Sequence, residues 1–320
     1  MTPVAPLVAI HATTWDAALE ETLSCVIEPS TVSAVAGTVH SAHQRAVNIR
    51  FDDRLVALIS DEFDNAPSTI RIPLGALHHA GLREGDAVTI DSSTMRLRTA
   101  RGDRTVILAP TARWSPAPCD LTSLRSSDLD HAHQILGSFS WTPQTPFGRA
   151  SAALLGAGIE QLRMACLRTA DVISTRGQQA PAESAISTAV GRLIGLGEGL
   201  TPSGDDVLTG FSFLAAHSGM RLHALLPALT EGIRHYDDRT TMLSAVTLRA
   251  ALTGRARESM HDLAAALEAA DAQSVEDAAS RIFTIGHSSG ADLLLGLRLA
   301  LELESRLRAT VSASNRKKVA

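Results

Sequence analysis

The sequence predicts an α+β protein: an N-terminal antiparallel β-sandwich or small barrel followed by an α-helical domain. Two observations predict it. Residues 30–110 break into short runs of alternating or β-branched residues with no long helical pattern between them, and from residue 150 onward the apolar period lengthens to three and four residues. Hydrophobic residues make up 45% of the chain and charged residues 20%, the balance of a folded globule. Aromatics are only 3%, so the core has to be packed from Ala, Leu, Val and Ile.

In order along the chain, residues 1–29 read as an N-terminal extension, and 30–110 as the β-rich domain. Strands are expected at 33–39, 46–51, 54–60, 68–72, 87–91, 95–99 and 104–108, separated by turn signals such as Asp52-Asp53 and Arg101-Gly102-Asp103. Residues 111–149, rich in Pro, Ser and Thr, read as a surface connection with one short helix at 127–136, anchored by Trp114 and Trp141. Helices are expected at 150–171, 182–194, 205–217, 222–234, 242–252, 256–270, 274–285 and 291–307 within a domain spanning 150–309. The last of these carries a broad leucine face and should be central. Residues 310–320 form a basic tail.

Composition removes several function classes. A net charge of −5 and one terminal basic run argue against nucleic-acid binding, which needs clustered Lys and Arg. No apolar run approaches the length of a membrane span. Cys25, Cys119 and Cys166 are far apart and have neither disulfide nor metal spacing, and the N-terminus lacks a basic n-region, so a cytoplasmic location is expected.

The densest chemical signal is the turn GLGEGLTPSGDDVLTG at 195–210. A helix should end near Gly195 and another begin near Pro202–Asp205, aiming loop amides and a helix N-terminus into one small volume, a geometry suited to anions. A dinucleotide fingerprint does not fit, because Leu200 stands where the third glycine belongs and a helix precedes the turn. A phosphate-binding Walker loop does not fit either, since no lysine follows. Ser203-x-x-Asp206 also satisfies a simple capping box, which leaves Gly197, Gly199, Thr201, Gly204 and the doubled carboxylate Asp205-Asp206 unexplained.

The pattern S-G-x-D-x-L-x-G recurs without gaps at 203–210 and 289–296, each time at an expected helix start. The two starts are therefore expected to pair, with Asp206 and Asp292 framing one pocket. Coincidence of two capping boxes is the simpler alternative. His287, Ser288 and Ser289 would contribute acid–base chemistry or hydrogen bonds. A third cluster, DDRTTMLS at 237–244, offers Arg239 to clamp a carboxylate, with Thr240, Thr241 and Ser244 at a helix entrance, where ordinary capping by a threonine is the alternative.

These blocks, GLGEGLTPSGDDVLTG at 195–210, RTTMLSAVTLRAALTG at 239–254 and IGHSSGADLLLGL at 285–297, with GTVHSAHQRAVNIRF at 37–51, resemble the AllH-type family. This was long an uncharacterised domain family, and one member is assigned as a subunit of bacterial oxamate carbamoyltransferase. The resemblance implies oxalurate breakdown within purine and allantoin catabolism: oxalurate plus phosphate gives oxamate plus carbamoyl phosphate. It also implies other subunits as partners. On that reading Asp205, Asp206 or His287 would move protons, while the phosphate site is missing from the main motif. Arg239 and Arg249, a Mg2+ ion bridging Asp205 and Asp206, or a partner subunit would have to supply it. The alternatives are a non-catalytic assembly or ligand-sensing subunit, and an amide hydrolase on a related small substrate.

Overall fold

A computed structural model describes residues 8–24, 34–143, 145–175 and 179–319. The chain divides into two compact units, Met1–Ala117 and Pro118–Ala320, so the α+β class expected from the sequence holds. Cys25 and the first residue of the expected strand 33–39 lie outside the described residues.

In the first unit the strands are β1 (Val8–His11), β2 (Thr14–Asp16), β3 (Val35–Ala42), β4 (Ala46–Phe51), β5 (Arg54–Ser60), β6 (Thr69–Ile72), β7 (Ala87–Ile90), β8 (Thr94–Arg98), β9 (Arg104–Ile107) and β10 (Arg113–Trp114). They form one ten-stranded sheet in the order β1-β9-β8-β7-β3-β4-β5-β6-β2-β10, curled as a half-barrel. The sheet is mixed rather than wholly antiparallel. β1 runs parallel to β9 and β10 to β2 at the two ends of the sheet, where segments distant in sequence return to it, and consecutive β5 and β6 run parallel in its interior. β1 and β2 lie in the stretch that composition marks as an extension. Trp15 holds β2 in place: it is buried and its indole donates to the Ala109 carbonyl at 2.8 Å. Ile49, Leu58, Ile70, Ile90, Met95 and Val106 fill the concave core. Two short helices, α1 (Leu19–Ser24) and α2 (Leu74–Ala80), complete the unit.

The second unit is helical: α3 (Ser126–Gly137), α4 (Pro146–Thr175), α5 (Gln179–Leu193), α6 (Ser203–Ala215), α7 (Leu226–Tyr236), α8 (Met242–Leu252), α9 (Glu258–Glu268), α10 (Ala272–Phe283) and α11 (Ser289–Val319). α6 is buried on every side from Gly204 to Ala215, its polar Asp205, Asp206, Thr209 and Ser212 included. α11 presents buried Leu293, Leu294, Leu297, Leu301 and Leu303, which makes it central as its leucine face predicts, and its backbone runs on through the stretch read as a tail. Among the described residues no helix is long and apolar enough to cross a membrane.

α6 and α11 pack closely because of two glycines. A methyl group on Gly210 would lie 2.2 Å from the Leu293 carbonyl oxygen, and one on Gly296 would lie 2.0 Å from the Val207 carbonyl oxygen. In the repeated pattern Gly210 corresponds to Gly296 and Val207 to Leu293, so the contact is reciprocal: each helix sets its glycine on the other's matching carbonyl. Backbones approach this closely only where a side chain is absent.

Candidate functional site at the paired helix starts

Helix α5 ends where Gly195 turns left-handed at φ 73°, a conformation that L side chains resist. A side chain there would also strike the Arg239 carbonyl at 2.2 Å, so the α5 end is pressed against the segment leading to α8. The chain doubles back through Gly197 and Gly199. The Gly204 amide donates to Leu196 O at 2.8 Å, and Gly204 itself rests on the end of α5. Gly195 and Gly204 thus spend their amides on internal bonds, Gly195 to Asp205 Oδ1 at 2.9 Å. Those two amides are therefore not available to an anion. These glycines serve close packing.

The capping-box alternative is not what the structure contains. The residue before the first turn of α6 is Pro202, with no side-chain cap, and its carbonyl accepts from the Asp205 and Asp206 amides at 2.9 and 3.2 Å. Ser203 and Asp206 instead reach across to α11. The Ser289 and Thr201 hydroxyls hydrogen-bond to the Asp206 carboxylate, and those of Ser203 and Ser288 to Asp292. Thr201 Oγ1 and Ser289 Oγ are 2.9 Å apart. Matching positions of the repeat, Ser203 with Ser289 and Asp206 with Asp292, therefore exchange partners, and the expected meeting of the two helix starts is present.

Both carboxyls are nearly enclosed, Asp206 at 5% exposure and Asp292 at 8%, and the Oδ2 of each has no hydrogen-bond partner. Burial raises the Asp206 carboxyl well above its ordinary value, helped by the neighbouring Asp292 and Asp205 charges. Burial lifts Asp292 to about 6, against the pull of the Ser203 and Ser288 hydroxyls.

Asp205 is differently placed. It is buried at 1% exposure, takes the Gly195 amide on Oδ1 and the Thr240 hydroxyl on Oδ2, and is also bonded by Ser244. Burial raises its pKa while these bonds draw it down. It fastens the glycine turn to the start of α8, with three of its roughly four acceptor positions occupied. Among the described residues no group of three or more His, Cys, Asp or Glu side chains could hold a metal ion.

The third cluster packs against the same turn. Thr241 caps α8, accepting the Ser244 amide at 3.1 Å, and donates to Leu200 O at 2.6 Å. Arg239 is exposed and stacks on the Tyr236 ring at 4.3 Å, and Arg249 is ion-paired to Asp237 at 2.7 Å. Ordinary capping thus accounts for Thr241, and neither arginine is drawn to the aspartate pair by these contacts. His287 is exposed, with its ring edge-on to Trp141 at 5.3 Å. A 350 Å3 cleft between α9 and α10, lined by Asp262, Asp271 and Arg281, and a 290 Å3 groove beside α3 take in neither Asp206 nor Asp292.

Sequence reasoning missed two features. Trp141 reads as a surface anchor, yet it meets His287, while Thr145, four residues on, donates to the Glu198 carboxylate at 3.4 Å. The segment after α3 therefore touches both signature turns, and no periodicity in it signals this. The crossed serine–aspartate bonds also went unread. Their signal was the glycine four residues after each aspartate, which marks the face where the helices meet.

Two family models match the chain, the AllH family N-terminal domain over residues 12–112 and oxamate carbamoyltransferase subunit AllH over residues 193–301. The second match contains both copies of the repeated pattern. No solved structure matches. The chain belongs to the AllH family, whose described role is that of an oxamate carbamoyltransferase subunit.

Proposed function

We propose that this chain is the subunit that handles the proton of carbamoyl transfer from oxalurate to phosphate, yielding oxamate and carbamoyl phosphate. The observation that carries this reading is the reciprocal pair Asp206–Asp292, buried, cross-bonded by serines and left with an unpartnered oxygen on each side. In the reaction a phosphate oxygen bonds to the ureido carbon and the carbon–nitrogen bond to the oxamate fragment breaks. The proton of hydrogen phosphate ends on the departing nitrogen. Two carboxyls that hold one proton between them can take it from one side and deliver it to the other.

Asp205 acts in this scheme as the fastener of the turn, Thr201, Ser203, Ser288 and Ser289 as the hydroxyls that orient the pair, and His287 as a rim residue. Phosphate binding is assigned to a partner subunit. Ionised aspartates repel phosphate, and Arg249 is already committed to Asp237. The experiment is a carbamoyl phosphate assay with oxalurate and phosphate, on the chain alone and with its partner subunits. Turnover only in the complex, abolished by Asp206→Asn with the fold intact, is expected. Ammonia release by the chain alone without phosphate would replace this reading with an amide hydrolase.

A further inference from the structure

We infer that the Asp206–Asp292 pair is a recognition site for a neutral amide, the carbamoyl or ureido end of a small substrate, and not for an anion. The inference deepens the carbamoyltransferase reading and rests on it only for the identity of the substrate.

Two oxygens decide it. Among the described residues, Asp206 Oδ2 and Asp292 Oδ2 are the buried carboxylate oxygens without a hydrogen-bond partner, and their residues are 95% and 92% enclosed. A buried polar atom left unbonded costs about 1–3 kcal/mol, so a pair of them at facing helix starts is a site waiting for donors and acceptors. The neighbours that do engage the two carboxyls are hydroxyls: Ser289 and Thr201 at Asp206, and Ser203 and Ser288 at Asp292. These hydroxyls engage each carboxyl while one oxygen of each stays buried and unpartnered.

Their mutual charge settles what those oxygens can take. Burial raises both carboxyls, and the Asp292 charge raises Asp206 further, which favours a protonated Asp206 that donates beside an Asp292 that accepts. A primary amide presents the matching set, an N–H to give and a carbonyl oxygen to receive. A carboxylate presents only acceptors, and both it and hydrogen phosphate bring negative charge to a pair of acids that burial already holds against ionising. The helix starts offer such anions little in return, because the Gly204 and Gly290 amides are bonded to Leu196 O and Ile285 O at 2.8 and 2.9 Å. An amide is also the group on which the proposed reaction breaks its bond.

The test is isothermal titration calorimetry of the full chain with oxamate, with oxalate, which replaces the amide by a second carboxylate, and with inorganic phosphate. Oxamate is expected to bind at least tenfold tighter than oxalate or phosphate, and Asp292→Leu, which keeps the branching at Cγ but removes both oxygens, should abolish it. Hydrogen exchange on the unmodified protein gives a readout independent of that variant's folding: oxamate should protect the amides at 203–208 and 289–294. Equal binding of oxalate or phosphate, no binding of oxamate, or protection elsewhere alone would overturn the inference. If oxamate fails to bind here while the complex still makes carbamoyl phosphate, the amide site falls and the carbamoyltransferase reading stands. If oxamate binds here while the complex makes none, the reading falls and the amide site stands.

Discussion

Replacing Asp292 by Asn should stabilise the protein at neutral pH. Asp292 is 8% exposed, and burial lifts its carboxyl from 3.8 to about 6. The unfolded chain therefore releases this proton near pH 4 while the native state keeps it to about pH 6. The native state is favoured below that window, loses the advantage as pH rises through it, and carries the full penalty above. At roughly 1.4 kcal/mol for each tenfold change in proton affinity, the penalty at pH 7 is about 3 kcal/mol. Asparagine has nearly the same shape, keeps the Ser203 and Ser288 hydroxyls as partners, and has no charge to desolvate. It also removes the charge that pushes up Asp206. In a helical unit of this size a gain of about 3 kcal/mol raises Tm by roughly 6–12 °C. Thermal and urea unfolding by far-UV circular dichroism at pH 4, 5, 6, 7 and 8 would measure it. The difference between variant and native protein should be greatest at pH 7–8 and shrink towards zero by pH 4. A variant less stable at pH 7, or a difference independent of pH, would refute the claim that a desolvated carboxyl sits at this position.

Three further outcomes follow from the packing. Gly296→Ala forces a methyl to 2.0 Å from the Val207 carbonyl oxygen and should cost about 3 kcal/mol in urea unfolding. Gly156→Ala in α4, where nothing lies within 4 Å, should gain about 0.5–1 kcal/mol in the same assay. Glu304→Ala removes a fully buried carboxylate that accepts from Arg308 Nε at 2.8 Å and the Leu222 amide at 3.1 Å, and should cost about 3–5 kcal/mol by leaving the Arg308 charge enclosed without it.

Much of the architecture was legible because periodicity and turn residues act locally. The strands from β3 to β9 follow short alternating runs between glycine and aspartate turns, and α11 announced its place through its leucines. What stayed hidden depends on distant partners. β1, β2 and β10 are too short to carry a pattern and exist only through their neighbours, β2 through Trp15 and the Asp16 carboxylate that receives the Ser68 amide at 2.7 Å. At the site, the repeated S-G-x-D-x-L-x-G pattern located both helix starts and their meeting. It could not separate Asp205 from Asp206, since adjacent carboxylates look alike in sequence. A helix turns adjacent residues about 100° apart, which sends one to the α8 start and the other to α11. Nor could it show that Ser203 bonds across the helices rather than to its own backbone, because a capping box and a crossed pair use the same residues at the same spacing.

The central claim is that Asp206 and Asp292 act as one unit. Turnover of oxalurate and phosphate by the assembled complex, compared for Asp206→Asn, Asp292→Asn and the double variant, tests it most directly. Groups that share one task are lost together, so the double variant should be no slower than the slower single one. Losses that multiply, or a single variant with near-native turnover, would contradict the account.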